Sequence, residues 1–388
     1  MPMNRASLDG SRTGFDPIEF LERAVSIETH ERVDELREDV RSILGAHGHD
    51  PTVDATGTLV VTRGSGEPAV GNTDRAVSHI VLNTHLDTVS PHVPPEWGPD
   101  GDRLSGRGAC DAAGALAAML ATFLTTELTS GRLTLALTPD EEVYSTGARS
   151  LVERADSPLR DADAVIVGEP TGLDVCPAAP GRFEGTIELG GEHAHAARPD
   201  TGNNAVDALA EVLLALRSFD DRDDVPGDHP QLGAPTLTPT VVQGGEATNQ
   251  VPASARLTVD RRPVPPETPD SFEATLLDQF DAAVPSSIDV SFSFTDRPTP
   301  FFDAWSTDPD HPLVLTLSAA SGGDVRAFGA ATEASYFAGV APTVVFGPGS
   351  LADAVGPVAH ADREYVSIDE IHEAATALIS ATTALLAT

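Results

Sequence analysis

The sequence predicts an α/β fold in which a parallel-stranded sheet is interrupted by a smaller α+β unit. Apolar runs such as IVLNTHLD, RLTLALTPDEE and ADAVIVGEPTG each read as a buried strand followed by a polar loop. A long Ala/Leu-rich helix, DAAGALAAMLATFLTTEL, lies between the first two of these strands. Alternation of strands with helices is typical of a parallel sheet. In such sheets the chemistry lies beyond the C-terminal ends of the strands.

The remaining elements divide the chain into three segments. The stretch DPIE from Asp16 predicts a capped helix start, and VDELREDVRSILGAHG predicts a second helix. After Pro180 the pattern changes to strand pairs and helices, as in GRFEGTIELGGEHAHAA and NNAVDALAEVLLALRSF. The stretches PLVLTLSAASGG and PTVVFGPGS again predict a helix and a strand like those before Pro180. We therefore expect the α/β domain at 1–180 and 295–388, with an inserted α+β domain at 181–294.

The charge balance is strongly acidic. The 388 residues include 60 Asp and Glu against 24 basic residues, all of them Arg, and the net charge is -36. This charge argues against nucleic acid or anionic membranes as partners. The acidic residues are scattered along the chain, which favours a hydrated surface suited to high salt over an acidic binding tail. The missing Lys also excludes a Schiff-base lysine and a phosphate-loop lysine.

Targeting and cysteine signals point to the cytoplasm. No apolar run approaches the ~18 residues of a membrane span, and the start MPMNRASLDGSRTGFDP lacks the apolar core of a signal peptide. Cys110 and Cys176 form neither a C-x-x-C pair nor a disulfide framework, which suits a reducing compartment. We expect Cys110 to be a small buried thiol.

Carboxylate or imidazole side chains follow five predicted strands or turns. They occur in NTHLD, GRGACD, TPDEE, VGEPTG and VAHADREYV, and the residues are His85, Asp87, Asp111, Glu141, Glu142, Glu169 and His360. Each motif alone is compatible with ordinary surface polarity. Their joint placement at strand ends predicts a site.

The predicted site has the ligand chemistry of a metal centre. Imidazole and carboxylate donors without thiolates suit zinc, cobalt or manganese. Several carboxylates at one rim repel each other unless cations lie between them, which favours two divalent ions sharing a bridging carboxylate. Such ions lower the pKa of water, and hydrolysis then needs a base beside that water. Of two adjacent glutamates, one can bind metal while the other takes the proton.

Together these motifs resemble the di-zinc amidohydrolase and peptidase family of acetylornithine deacetylase, succinyl-diaminopimelate desuccinylase, aminoacylase and carboxypeptidase G. The resemblance begins near Asp16, covers nearly the whole chain and keeps the motifs in order. It implies a mixed-sheet catalytic domain of the di-zinc aminopeptidase type, two divalent ions, most often zinc, and an inserted ferredoxin-like lid that also makes a homodimer.

The resemblance assigns a role to each site residue. His85 and Glu169 would bind one metal, Glu142 and His360 the other, and Asp111 would bridge them. Asp87 would orient His85. Glu141 would be the general base. The family usually has a cis peptide just after the bridging aspartate.

The inserted domain contributes candidate substrate contacts. In AHAARPD, His195 matches a histidine that reaches the partner subunit's site and stabilises the tetrahedral oxyanion, with His193 as the nearby alternative. Asn249 and Arg262 match lid positions that contact polar groups of the substrate. Arg262 could clamp a carboxylate, or Arg261 and Arg262 could pair only with surface acids.

The substrate class rests on the stretch GAATEASYF, which resembles acetylornithine deacetylase. Thr332 and Glu333 are therefore candidate substrate contacts, and Glu333 could bind an ammonium. The sequence thus predicts a metal-dependent hydrolase that removes an N-acyl group from an amino acid, with acetylornithine as the expected substrate. Succinyl-diaminopimelate, a dipeptide and an amino acid tethered to a carrier protein are alternatives within the class. A non-catalytic binding protein that kept the fold is the alternative outside it.

Two features depart from the family pattern. Ala113 stands where the family often has Lys. The link SLADAVGPVA before His360 is longer than usual.

The stretch GPGSL around Ser350 does not fit the nucleophile elbow G-x-S-x-G of a serine hydrolase.

Overall fold

The computed structural model describes residues 14–64 and 77–387. The chain divides into two compact units, one formed by residues 1–178 and 306–388 and the other by residues 179–305. Most of the stretch MPMNRASLDGSRTGFDP, for which no signal peptide is predicted, lies outside the described residues. Within the described ranges, no helix combines the length and apolarity needed to cross a bilayer.

The helices, in chain order, are α1 (Pro17–Ser26), α2 (Asp34–Ala46), α3 (Gly114–Thr125), α4 (Thr146–Glu153), α5 (Ala205–Arg217), α6 (Pro269–Ala283), α7 (Pro312–Ser321), α8 (Ala334–Ala338) and α9 (Ile368–Leu386). The strands are β1 (Thr52–Val53), β2 (Leu59–Gly64), β3 (His79–His85), β4 (Glu96–Trp97), β5 (Arg103–Ser105), β6 (Arg132–Thr138), β7 (Ala164–Val167), β8 (Ala178–Ala179), β9 (Phe183–Gly190), β10 (Ala194–His195), β11 (Thr236–Gly244), β12 (Gln250–Val251), β13 (Ser254–Arg262), β14 (Asp289–Phe294), β15 (Trp305–Ser306), β16 (Thr343–Val345), β17 (Ala352–Asp353), β18 (Gly356–Pro357) and β19 (Tyr365–Ser367).

The first unit is built on a six-stranded mixed sheet of order β1-β2-β6-β3-β7-β16. Strands β6, β3, β7 and β16 run parallel, while β1 and β2 are antiparallel additions at one edge. Every residue of β3 is buried, as expected for a strand covered on both faces. Helices α1, α3, α7 and α9 share one hydrophobic core with this sheet. The predicted mixed-sheet α/β fold is confirmed.

The parallel strands explain why polar residues meet at one edge. Strands β3, β6 and β7 end at His85, Thr138 and Val167, and parallel strands present these ends on the same side of the sheet. The turns that follow therefore start from one rim.

The second unit has the chain order β9-α5-β11-β13-α6-β14 and the sheet order β11-β13-β9-β14, all antiparallel. This βαββαβ arrangement is ferredoxin-like, as the resemblance implies. Buried and more exposed residues alternate along β9, so one face of the sheet packs on its own core under α5 and α6. Strand β11 lies at the sheet edge, and Val241 and Val242 on it are exposed.

Candidate metal centre

The predicted site residues of the first unit follow the strand ends. His85 is the last residue of β3, Glu141 and Glu142 lie in the turn after β6, and Glu169 follows β7 by two residues. Asp111 lies in the turn that leads into α3, and its peptide bond to Ala112 is cis.

One group of ligand atoms is formed by His85, Asp111 and Glu169. Their donor atoms all lie within 4.8 Å of one another, and the three residues are buried. The imidazole Nε2 of His85 is 3.1 Å from Oδ1 of Asp111. Three residues separated widely in sequence therefore converge on one point.

A second group is formed by Asp111, Glu142 and His360, whose donor atoms also lie within 4.8 Å of one another. The imidazole Nε2 of His360 is 3.3 Å from Oδ2 of Asp111 and 3.1 Å from Oε2 of Glu142. Asp111 thus faces one imidazole with each of its oxygens and belongs to both groups. This is the arrangement expected of a bridging carboxylate.

The electrostatics of the site residues show a surplus of negative charge. Burial raises the pKa of Glu141 and of Glu169 well above the usual value, with neighbouring carboxylates adding to the effect. Hydrogen bonds to Asp111 and Glu142 raise the pKa of His360 to about 10. Burial opposes the charge of His85, yet Asp111 and Glu169 raise its pKa well above normal.

The raised pKa values of the two histidines and the lowered pKa of Asp111 arise from the same hydrogen bonds. Protonated imidazoles are the positive charges that face Asp111, and burial opposes its charge while their hydrogen bonds hold its pKa below the usual range. Divalent cations between the same atoms would supply that positive charge. The donor set of imidazole nitrogens and carboxylate oxygens fits two such ions. The Cys110 thiol stands apart from it, with Sγ 3.4 Å from the carbonyl oxygen of Ser350.

The carboxylate of Asp87 contacts the paired glutamates more closely than it contacts His85. Its carboxylate accepts the backbone N–H of Glu141 at 3.0 Å and of Glu142 at 3.1 Å. The His85 ring reaches the Asp87 carboxylate at 3.7 Å, whereas its Nδ1 lies 2.9 Å from the Asp87 carbonyl oxygen. The backbone of Asp87 therefore orients His85, and its side chain holds the turn of the glutamates.

Glu141 lies beside the two ligand groups without belonging to either. Its Oε1 is 3.4 Å from the backbone nitrogen of Glu333. Its side chain is half-buried at the rim. A carboxylate in this place is available for proton transfer.

Thr332 and Glu333 are both buried next to the site. Thr332 donates a hydrogen bond to Oε1 of Glu169 at 3.0 Å. Oε1 of Glu333 accepts one from Thr138 at 2.5 Å, and burial raises the pKa of Glu333 to about 7. In this conformation the protein itself encloses the Glu333 carboxylate.

His195, Asn249 and Arg262 belong to the second unit. His195 is exposed on β10, which pairs with β12, and its Nδ1 accepts the N–H of Ala197 at 3.1 Å. Asn249 is exposed next to β12, and its carbonyl oxygen accepts the N–H of Ala196. His195 and Asn249 therefore lie together on one small ribbon.

The two arginines that end β13 differ in environment. Arg262 is partly exposed, and its Nε donates to Asp260 at 2.7 Å. Arg261 is wholly buried and pairs with Glu267 and Asp220. Arg262 alone keeps part of its guanidinium at the surface, although an acid on its own strand already binds it.

Comparison with known proteins identifies the family. The model of Peptidase family M20/M25/M40 matches residues 81–384, which include every candidate ligand. The chain belongs to this family.

Relatives support the M20 assignment. An acetylornithine deacetylase from Myxococcus xanthus is 34% identical over 282 residues, covering 69% of each chain. A tripeptidase structure from Staphylococcus aureus has a TM-score of 0.72 at 18% identity and covers 96% of this chain and 98% of its own. A dinuclear metal binding peptidase of the M20 family from Bacillus subtilis has a TM-score of 0.68 at 13% identity, and the match covers 96% of this chain and 98% of that one. The structures show the shared fold, and membership of the M20 family makes the chain a hydrolase of amide bonds.

The sequence motifs do not predict the roles of two residues beside the candidate metal centre. Arg107 and Glu364 form a buried ion pair, with Nη1 of Arg107 2.6 Å from Oε2 of Glu364. Both lie inside motifs whose predicted ligand is another residue, Asp111 in GRGACD and His360 in VAHADREYV. A charged side chain inside a motif that already supplies a ligand is the sequence signal that could have indicated this pair.

Proposed function

We propose that this chain is a dinuclear metal-dependent deacylase that hydrolyses N-acyl amino acids, with acetylornithine as its substrate. The observation that supports this best is the placement of Asp111 in both ligand groups, with Glu141 beside them and outside both. A dinuclear metal hydrolase uses a bridged cation pair and a separate base, and this arrangement offers the ligands for the pair and a carboxylate for the base.

The metal ligands in this proposal are the residues of the two groups. His85 and Glu169 would hold one cation, Glu142 and His360 the other, and Asp111 both. Zinc is our first choice, and cobalt and manganese accept the same donors. Two divalent cations bound there supply Lewis acidity, which polarises an amide carbonyl and lowers the pKa of water.

The protein's own groups would move the proton. The carboxylate of Glu141 takes a proton from the attacking water as the C–O bond forms, and later gives it to the nitrogen of the leaving amine as the C–N bond breaks. Asp87 fixes the turn that holds Glu141 through the backbone N–H groups of the paired glutamates.

His195 would support the oxyanion from a partner subunit. Because Nδ1 of His195 accepts the N–H of Ala197, the ring proton of the neutral side chain is on Nε2, where it can be donated. We place the homodimer contact at the edge strand β11, whose backbone edge and exposed Val241 and Val242 suit strand pairing with a second copy.

The substrate assignment has two supports. The M. xanthus relative is an acetylornithine deacetylase. The stretch GAATEASYF, which contains Thr332 and Glu333, resembles the corresponding stretch of acetylornithine deacetylases. Asn249 and Arg262 would contact polar groups of the substrate, and Glu333 would attract its ammonium. Removal of the acetyl group from acetylornithine would place the chain in arginine biosynthesis.

A substrate panel tests the proposal. Metal-reconstituted protein in high salt should release acetate from acetylornithine faster than succinate from succinyl-diaminopimelate or amino acids from dipeptides. Preference for either of the other substrates would replace the acetylornithine assignment with that activity.

The base assignment has its own test. Glu141→Gln should lower kcat by about 10²–10⁴-fold because it removes the proton acceptor, while two metal ions per chain remain bound. Metal content measured beside turnover separates loss of the base from loss of the cations. A fully active variant would show that Glu141 is not the base.

A further inference from the structure

Next to the candidate metal centre lies an ion pair that the proposed reaction does not use. The side chains of Arg107 and Glu364 are each only 1% exposed, and Nη1 of Arg107 lies 2.6 Å from Oε2 of Glu364. Removing two charges from water is costly unless both are fully hydrogen-bonded. The remaining contacts of the pair therefore indicate what it is for.

Glu364 holds the backbone of the bridging aspartate. Its Oε1 accepts the N–H of Asp111 at 3.0 Å and the N–H of Cys110 at 3.1 Å. Both donors lie in the turn that presents Asp111 to the two ligand groups. The carboxylate thus fixes the position from which Asp111 reaches each cation.

Arg107 holds the loop of the other ligand. Its Nη2 donates to the carbonyl oxygen of His360 and its Nη1 to that of Ala361, each at 3.4 Å. Its Nε donates to the carbonyl oxygen of Pro91 at 3.1 Å. His360 itself has a positive φ of 64°, a conformation that a non-glycine residue keeps only when its surroundings hold it.

We propose that Arg107 and Glu364 are positioning residues that couple the two ligand loops, so that the Asp111 turn and the His360 loop adopt their metal-binding geometry together. The inference rests on the proposed dinuclear site and adds a coupling to it. The chain contains a comparable pair without such contacts, Arg261 and Glu267 in the second unit, which is equally buried but touches no ligand.

The first variant is Glu364→Gln. It keeps the size of the side chain but replaces one acceptor oxygen with an N–H donor, and it leaves the charge of Arg107 uncompensated beside the cations. We expect metal affinity to fall by about 10–100-fold, as is typical when a partner of a metal ligand is lost.

The second variant is Arg107→Lys. Lysine can still pair with Glu364, but a single ammonium cannot reach the carbonyl oxygens of Pro91, Ala361 and His360 as the guanidinium fork does. We expect both cations to bind more weakly because both share Asp111, and the cation held by His360 to lose more affinity than the cation held by His85 and Glu169. A purely structural pair would not produce such a split.

The measurement is zinc affinity and stoichiometry by chelator competition on the full-length protein, together with unfolding of the metal-free form. Glu267→Gln is the matched control and should lower unfolding stability without changing zinc affinity. If Glu364→Gln destabilises the fold as Glu267→Gln does and binds both zinc ions as the wild type does, the coupling is refuted. If Glu364→Gln does not fold, the split in Arg107→Lys decides. Wild-type protein that binds none of zinc, cobalt and manganese would refute the proposed function instead.

Discussion

The Asp87 carboxylate holds the turn of the paired glutamates and belongs to neither ligand group. Its two oxygens accept the N–H groups of Glu141 and Glu142, which the proposed mechanism uses as base and as metal ligand. Backbone N–H groups in a turn point wherever the turn directs them, so a fixed acceptor sets the direction of both side chains.

The variant Asp87→Asn tests this role. An asparagine side chain offers one oxygen and one N–H₂ group, so one of the two backbone N–H groups would face another donor. We expect kcat to fall by about 10–100-fold, with Glu141 and Glu142 both misplaced. Steady-state kinetics with metal analysis measures this.

Asp140→Asn is the matched control for that variant. Asp140 lies in the same turn, and its carboxylate accepts from Thr146. The same chemical change there should leave kcat nearly unchanged. Equal losses in the two variants would assign the effect to the turn as a whole, and not to the Asp87 contacts.

Part of the site could be predicted from the sequence because its ligands follow recognisable strands. His85, Glu142 and Glu169 come after apolar runs, and a parallel sheet brings such ends together. The roles of Arg107 and Glu364 could not be predicted, because their partners are mostly backbone atoms. A hydrogen bond to a backbone N–H or C=O leaves no mark on the identity of the partner residue.

At the scale of elements, β3 contains a buried histidine far from the site. His79 begins the strand with its Nε2 2.8 Å from Oγ1 of Thr134 on β6 and its Nδ1 3.1 Å from Asp161. Burial lowers the pKa of His79, and Arg132 adds to the effect. The folded chain therefore keeps His79 neutral at a pH where the unfolded chain binds a proton.

This histidine predicts a loss of stability in acid. Below the unfolded pKa of about 6.5 the unfolded state takes up the proton first, so the free energy of unfolding falls as the pH drops. His79→Gln should make that fall shallower between about pH 7 and pH 5.5. Urea unfolding at several pH values measures the slope.

The control for His79 is His372→Gln on α9, a half-buried histidine. If His372→Gln changed the slope as much as His79→Gln does, the effect would belong to the loss of any histidine and not to the burial of His79. A wild-type slope in His79→Gln would show that other groups cause the acid sensitivity.

Elements with strong local signals could be predicted, and those built by distant contacts could not. The Asp16 cap of α1 is confirmed, because its side chain accepts from Ile18 and Glu19. The long link before His360 contains the β17–β18 hairpin, and Arg363 and Tyr365 donate hydrogen bonds to Asp353 in it. Strands of two residues are too short to show a hydrophobic periodicity in the sequence.

At the scale of the whole molecule, the surplus of acid is the dominant feature. With a net charge of -36 and no Lys, the Arg side chains are widely engaged, as Arg222 is with Asp224 and Asp278. The remaining acids repel one another at low salt. Because the screening length falls from ~10 Å at 0.1 M to ~3 Å at 1 M salt, we expect the melting temperature to rise with KCl over this range.

Helix α6 allows that expectation to be tested with a pair of variants. Asp270 is exposed in its first turn and Asp281 in its last, which contains no basic residue. A carboxylate is favourable at a helix N-terminus and unfavourable at a C-terminus, by about 0.3–1 kcal/mol at low salt. Asp281→Asn should therefore stabilise the protein in 0.1 M KCl, and Asp270→Asn should destabilise it. At this salt concentration the screening length of ~10 Å is longer than at 1 M, so the charges interact more strongly.

Both differences should shrink as salt rises, because screening weakens the local field of the helix together with the repulsion of the whole surface. Since the two variants lose the same charge, any effect of net charge alone has the same sign in both, and only the helix term has opposite signs. Thermal unfolding of the wild type and both variants across a KCl series separates the two contributions. A wild-type melting temperature that did not change with KCl would show that repulsion among the acids does not limit the stability of this fold.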